Sequence, residues 1–184
     1  MGRNFSTNEE IKNYVKECIK SLVKKFKDNP YYFIDLMEDD IVAYLYHLIA
    51  TNDFFLKEIN YKFQGRNDSG EKTKILQAQA NTHDKVNKGT GRFDLAILNP
   101  EGGYLIAIEV KRIRDSLGTK KLLEAIKKDI DKLNNPENDV EFGYLLLFNC
   151  YQKYTDEFIK KVESLNKNQG RLKIGFFNSK KLYS

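Results

Sequence analysis

The residues best placed to do chemistry stand between Arg92 and Arg114, in the stretch RFDLAILNPEGGYLIAIEVKRIR. Asp94 lies in its first half, and Glu109 and Lys111 lie in its second, with Val110 between them. Read as two strands joined by the turn Asn-Pro-Glu-Gly-Gly, the stretch sends Glu109 and Lys111 to one face and Val110 to the other, because side chains alternate along a strand. Two carboxylates and an amine then meet at one spot. A segment as apolar as YLIAIEV belongs inside a sheet, where an unpaired charge is costly. The simplest resolution is a divalent cation held by the carboxylates. Mg²⁺, with Mn²⁺ able to substitute, is a hard ion that takes oxygen ligands and keeps waters that substrate phosphates replace. The Val110 carbonyl is a natural extra ligand. Such an ion polarises a phosphodiester and acidifies a bound water, while Lys111 would position or help deprotonate that water and neutralise charge on the phosphate.

The elements that must position these groups follow from periodicity. Residues 7–28 carry Ile11, Val15, Ile19, Leu22, Val23 and Phe26 at helical spacing behind a Ser6 or Thr7 cap, with lysines on the other face. The basic face of this helix reads as solvated surface. A second helix, about 35–50, has an apolar face of Ile41, Val42, Leu45, Leu48 and Ile49. Stepping 100° per residue places Glu38 near the centre of that face, with Asp39 and Asp40 well away from it. Taken alone, Glu38 is better explained as a first-turn acid suited to the helix dipole. Residues 72–80 read as a strand with Ile75, Gln77 and Gln79 on one face, and 81–91 as a polar loop containing His83 and a Gly-Thr-Gly. That glycine pair lacks the strand-to-helix setting of a nucleotide loop, and His83 is by default a surface side chain. Helices over 117–133 and 155–165 alternate with strands over 140–150 and 172–177. Hairpin-linked strands followed by helical crossovers predict an α/β (α+β) protein: a mixed sheet with helices on both faces.

The 184 residues fit one domain, residues 1–184, with 1–30 as an N-terminal helical appendage. Lys and Arg exceed Asp and Glu by 31 to 26, an excess compatible with a polyanionic partner and also with a plain soluble surface. Cys18 and Cys150 have no metal-ligand spacing and read as free thiols in a reducing cytoplasm. No apolar run reaches membrane-spanning length, and the start MGRNFSTNEE has no signal-peptide core; its match to a myristoylation pattern is isolated. The expectation is a cytoplasmic protein with no membrane partner.

The arrangement Asp94, fourteen intervening residues, then Glu109-Val110-Lys111 resembles the PD-(D/E)xK nuclease superfamily, also called the restriction-endonuclease-like fold. Phe93 stands where the motif's name has proline, a position that varies in the family. The resemblance implies a core of helix, three antiparallel strands, helix and strand, and the run from Glu38 to about Cys150 is similar to that order. It implies Asp94 and Glu109 as metal ligands, Lys111 as the catalytic lysine, and Glu38 as an acid that joins the metal site from the first core helix. The competing account is a structural salt bridge from Asp94 to Arg92 or Lys111. Arg92, Arg112, Arg114, Lys120 and Lys121 flank the site and suit phosphate contacts, collectively favouring DNA. The function implied is metal-dependent hydrolysis of DNA by an endonuclease or exonuclease, with a homodimer needed to cut both strands. The alternative is an inactive nuclease-like domain that serves as a nucleic-acid-binding or protein-interaction module.

Overall fold

The computed structural model describes residues 7–29, 33, 36–56, 58–60, 72–82, 91–99, 102–113, 118–149, 156–166 and 170–178. Helix α1 (Asn8–Asp28) begins at a capping box: Thr7 Oγ1 accepts from the Glu10 N–H, and Glu10 Oε2 accepts from the Thr7 N–H. Helix α2 (Glu38–Ala50) starts where Asp40 Oδ2 accepts from the Met37 N–H at 2.7 Å. A single helical turn, Asp53–Leu56, follows. Strands β1 (Glu58–Asn60) and β2 (Lys72–Lys74) form a small antiparallel pair of their own. The strand expected over 72–80 is therefore two: Ile75 interrupts it, and the second piece enters the main sheet.

That main sheet contains β3 (Leu76–Asn81), β4 (Arg92–Leu98), β5 (Tyr104–Ile113), β6 (Val140–Asn149) and β7 (Leu172–Asn178), side by side in chain order. β3, β4 and β5 are antiparallel neighbours, whereas β6 and β7 run parallel to β5. The parallel connections are made by α3 (Thr119–Asn134) and α4 (Asp156–Leu165), as crossovers between parallel strands require. β5 is the central strand, and every residue on it is buried except the half-buried Lys111. The β4–β5 hairpin closes with the Gly102 N–H donating to the Asn99 carbonyl at 2.9 Å. Gly103 there has φ +69°, a left-handed conformation that favours glycine.

Helices cover both faces. Phe148 of β6 packs edge-on against Phe26 of α1, and Phe33 stacks on it from the same side. Gly143, five positions earlier and so on the opposite face, lies against Leu133 of α3. A Cβ on Gly143 would press on Leu172 Cδ1 at 3.1 Å while meeting Leu133 Cβ at an ordinary 3.5 Å. Val15, Leu22 and Phe26 of α1 belong to the same buried core as the sheet. The helix's lysine face is solvated, as anticipated. α2 joins α1 through the Tyr14 hydroxyl, which donates to the Leu48 carbonyl at 3.1 Å.

One strand residue breaks the alternation. Gln79, which the β3–β4 register passes over between Ala78 and Ala80, has φ +53°, a conformation that costs a non-glycine residue energy. As a result Ala78 and Gln79, consecutive residues, both line an open cleft of about 530 Å³ against Asp39, Val42, Ala43 and Tyr46 of α2.

Candidate active site

Parallel partners in a sheet share a face, so Glu109 and Lys111 lie with Leu145 and Leu147 on the side covered by α3. On β4 the antiparallel pairing of Ala96 with Ala107 puts Asp94 on that same side. The β4–β5 ladder runs only as far as Leu95 and Ile108, and beyond that point the two strands part. Asp94 fills the opening: its Oδ2 accepts from the Val110 N–H at 2.7 Å, replacing the β4 carbonyl that a continued ladder would have supplied. No described residue forms an ion pair with Asp94, so the anticipated salt bridge to Arg92 or Lys111 is not what holds it.

Each lysine of the site is held by two carboxylates. Lys111 Nζ lies 3.4 Å from Glu38 Oε2 and 3.3 Å from Asp129 Oδ2. Lys132 Nζ lies 2.7 Å from Glu109 Oε1 and 3.7 Å from Asp129 Oδ1, and donates to the Arg92 carbonyl at 2.8 Å. Asp129 bridges the two. Glu38 thus reaches the site from α2, as its place on the helix face predicted, while Asp39 and Asp40 stay exposed. It arrives against Lys111. Among the described residues no three His, Cys, Asp or Glu side chains are gathered closely enough to hold a metal ion by themselves.

Burial and the neighbouring charges set the electrostatics of the site. Burial pushes the Glu109 carboxyl up to about 8, and the nearby Asp94 and Asp129 raise it while Lys132 opposes the shift. Asp94 is raised as well, by burial first, against the lowering effect of the Val110 N–H and the two lysines. Burial acts to lower Lys111, but Asp129 and Glu38 outweigh it, so the ammonium sits above its ordinary value. Four carboxylates (Glu38, Asp94, Glu109, Asp129) face two ammonium groups (Lys111, Lys132), leaving two formal negative charges when all are ionised. The donor set is oxygen alone. A divalent cation fits both facts: it takes hard oxygen ligands and its charge matches the deficit.

Asp129 and Lys132 did not emerge from the strand motif. A signal for Asp129 was present: it stands three residues after Ile126 and four before Leu133, on the buried stripe of a helix whose Lys120, Lys121, Glu124, Lys127, Lys128 and Asp131 are exposed. Lys132 follows one helical turn later, on the same side.

The expected nucleic-acid contacts divide. Arg92, Lys120 and Lys121 are exposed, the last two on the first turn of α3. Arg112 is buried at 6% exposure and points to the face opposite Lys111, so it is not part of an exposed basic footprint. Val110 and Arg112 alternate with Glu109 and Lys111, which is the reason. Arg114, His83, Cys150 and the first two residues of the Gly-Thr-Gly, Gly89 and Thr90, lie outside the described residues. Cys18 is a buried free thiol, and among the described residues no helix is long and apolar enough to cross a membrane. Compared with known proteins, the chain matches no family model, and no curated protein matches it significantly.

Proposed function

We propose that this chain is a metal-dependent nuclease that hydrolyses DNA phosphodiester bonds through a PD-(D/E)xK-type site. The observation that carries the reading is the convergence of Asp94, Glu109 and Lys111 on one face of the sheet, where β4 and β5 part. The order of α2, three antiparallel strands, α3 and a parallel strand supports it, being that of the restriction-endonuclease-like core. Asp94 and Glu109 would hold Mg²⁺ or Mn²⁺ with the Val110 carbonyl, and Glu38 would supply a further acid. When bound, the ion supplies positive charge for the scissile phosphate and lowers the pKa of a coordinated water.

The remaining roles belong to the chain. Asp129 and Glu38 keep Lys111 as an ammonium, so it acts as a hydrogen-bond donor to a phosphate oxygen or to the attacking water rather than as a base. Its two carboxylate anchors fix the orientation of a flexible side chain before substrate arrives. Arg92, Lys120 and Lys121 would track the phosphate backbone, and a homodimer would bring two sites to the two strands.

The test is incubation of the pure protein with plasmid and single-stranded DNA in Mg²⁺, Mn²⁺ or EDTA, alongside Lys111→Ala and Asp94→Ala. Cleavage is expected in metal, is lost in EDTA, and falls by about 100-fold or more in each variant. Cleavage that persists in both variants overturns the mechanism. Binding without cleavage in any metal would identify a nucleic-acid-binding module instead.

A further inference from the structure

We infer that the Lys132 ammonium occupies Glu109 in the metal-free protein and is displaced from it when the divalent cation binds, with Asp129 receiving it. This rests on the metal-site reading and extends it to two residues outside the strand motif.

The surroundings of Lys132 Nζ are those of a cation site. It has Glu109 Oε1 at 2.7 Å, the Arg92 carbonyl oxygen at 2.8 Å and Asp129 Oδ1 at 3.7 Å. Carboxylate and backbone carbonyl oxygens are the ligand types that Mg²⁺ and Mn²⁺ select. The ring of Phe93 adds a further favourable surface, 5.9 Å from the ammonium. Glu109 cannot serve both cations at short range, because its side chain is only 4% exposed and has little freedom to turn away. Lys132 can move. Its side chain is 22% exposed, its stem has four rotatable carbons, and it stands one turn from Asp129 on the same helix.

The geometry therefore separates two tasks. Lys132 spares the buried Glu109 from facing Asp94 and Asp129 without a counter-ion, which lets the chain fold and persist without metal. In exchange, an incoming ion must displace Lys132 from Glu109, which weakens its apparent affinity. Asp129 is a positioning residue: it anchors Lys111 and offers a carboxylate to Lys132 once Glu109 is engaged elsewhere.

Mn²⁺ binding to the full chain, followed by the loss of the free-ion electron paramagnetic resonance signal, reads this directly and independently of DNA cleavage. Lys132→Met removes the competing charge and should tighten Mn²⁺ binding by about tenfold, whereas Lys132→Arg keeps a cation in bidentate reach of Glu109 and should weaken it. The order Met, then wild type, then Arg supports displacement. Equal or weaker binding by Lys132→Met overturns it, with Glu109 still shown to be a ligand if Glu109→Gln binds less than wild type. If Lys132→Met does not fold, an Arg variant that binds as tightly as wild type overturns it in the same way. Should wild type and Glu109→Gln bind Mn²⁺ equally, the metal-site reading falls and takes this inference with it.

Discussion

Replacing Glu109 by glutamine keeps the shape of the side chain and removes the one carboxyl that burial penalises most. An acid raised from 4.5 to about 8 on folding binds a proton in the folded state that the unfolded chain has released throughout that interval. Stability of the metal-free protein therefore falls as pH rises from about 4.5 to about 8 and levels off above it. At about 1.4 kcal/mol per pH unit, the ionised folded state is penalised on the order of 5 kcal/mol well above pH 8, and on the order of 3 kcal/mol at pH 7. Glu109→Gln should lack this penalty. Urea denaturation in EDTA at pH 5, 7 and 9 measures it: the variant should match wild type at pH 5 and exceed it increasingly toward pH 9. Saturating Mg²⁺ should flatten the wild-type slope and leave the variant unmoved. A difference between the two proteins that stays constant from pH 5 to pH 9 refutes the reasoning, because it would mean that Glu109 is ionised in the folded state as readily as in the unfolded one.

Two substitutions away from the charges test the scaffold. Gly103→Ala forces a side chain into φ +69° with its Cβ 2.6 Å from the Asp139 carbonyl oxygen; it should cost about 2 to 4 kcal/mol, read as a fall in Tm of roughly 10 °C by circular dichroism. Gln79→Gly relieves a left-handed conformation at φ +53° and should stabilise the chain by about 0.5 to 1 kcal/mol in urea denaturation. A loss of stability there would mean that the Gln79 side chain contributes more than its backbone costs.

Much of the fold was legible because its signals are local. The apolar stripe of α1, the ten-residue runs of β5 and β6, and the glycines after Asn99 each point to one structure without reference to the rest of the chain. Glu109 and Lys111 could be placed on one face by alternation alone, and Glu38 by helical angle, whereas Asp94 joins them through the register of β4 and β5. What stayed hidden depends on contacts between distant elements. That α1 belongs to the core is a fact about Phe26 meeting Phe148, and no periodicity expresses it. Arg112 looked like a phosphate contact by composition, yet the alternation that exposes Lys111 necessarily buries it. Asp129 was readable as an acid on an apolar stripe, but its meaning came only with Lys111 beside it. Gln79 gave no sign, since a left-handed residue within a strand has no compositional signature unless it is glycine.

The hydrogen bond from the Val110 N–H to Asp94 bears on how such a site would decay over evolutionary time. Where β4 and β5 part, that carboxylate serves as a piece of the sheet, so a lineage that abandoned the chemistry would still be selected to keep Asp94 for folding. Glu109 is under the opposite pressure. Among the described residues it has no backbone partner to support, and its buried charge works against the fold, so drift would remove it first. If the site works as proposed, Glu109 is therefore the acid whose loss would mark descendants that no longer use it.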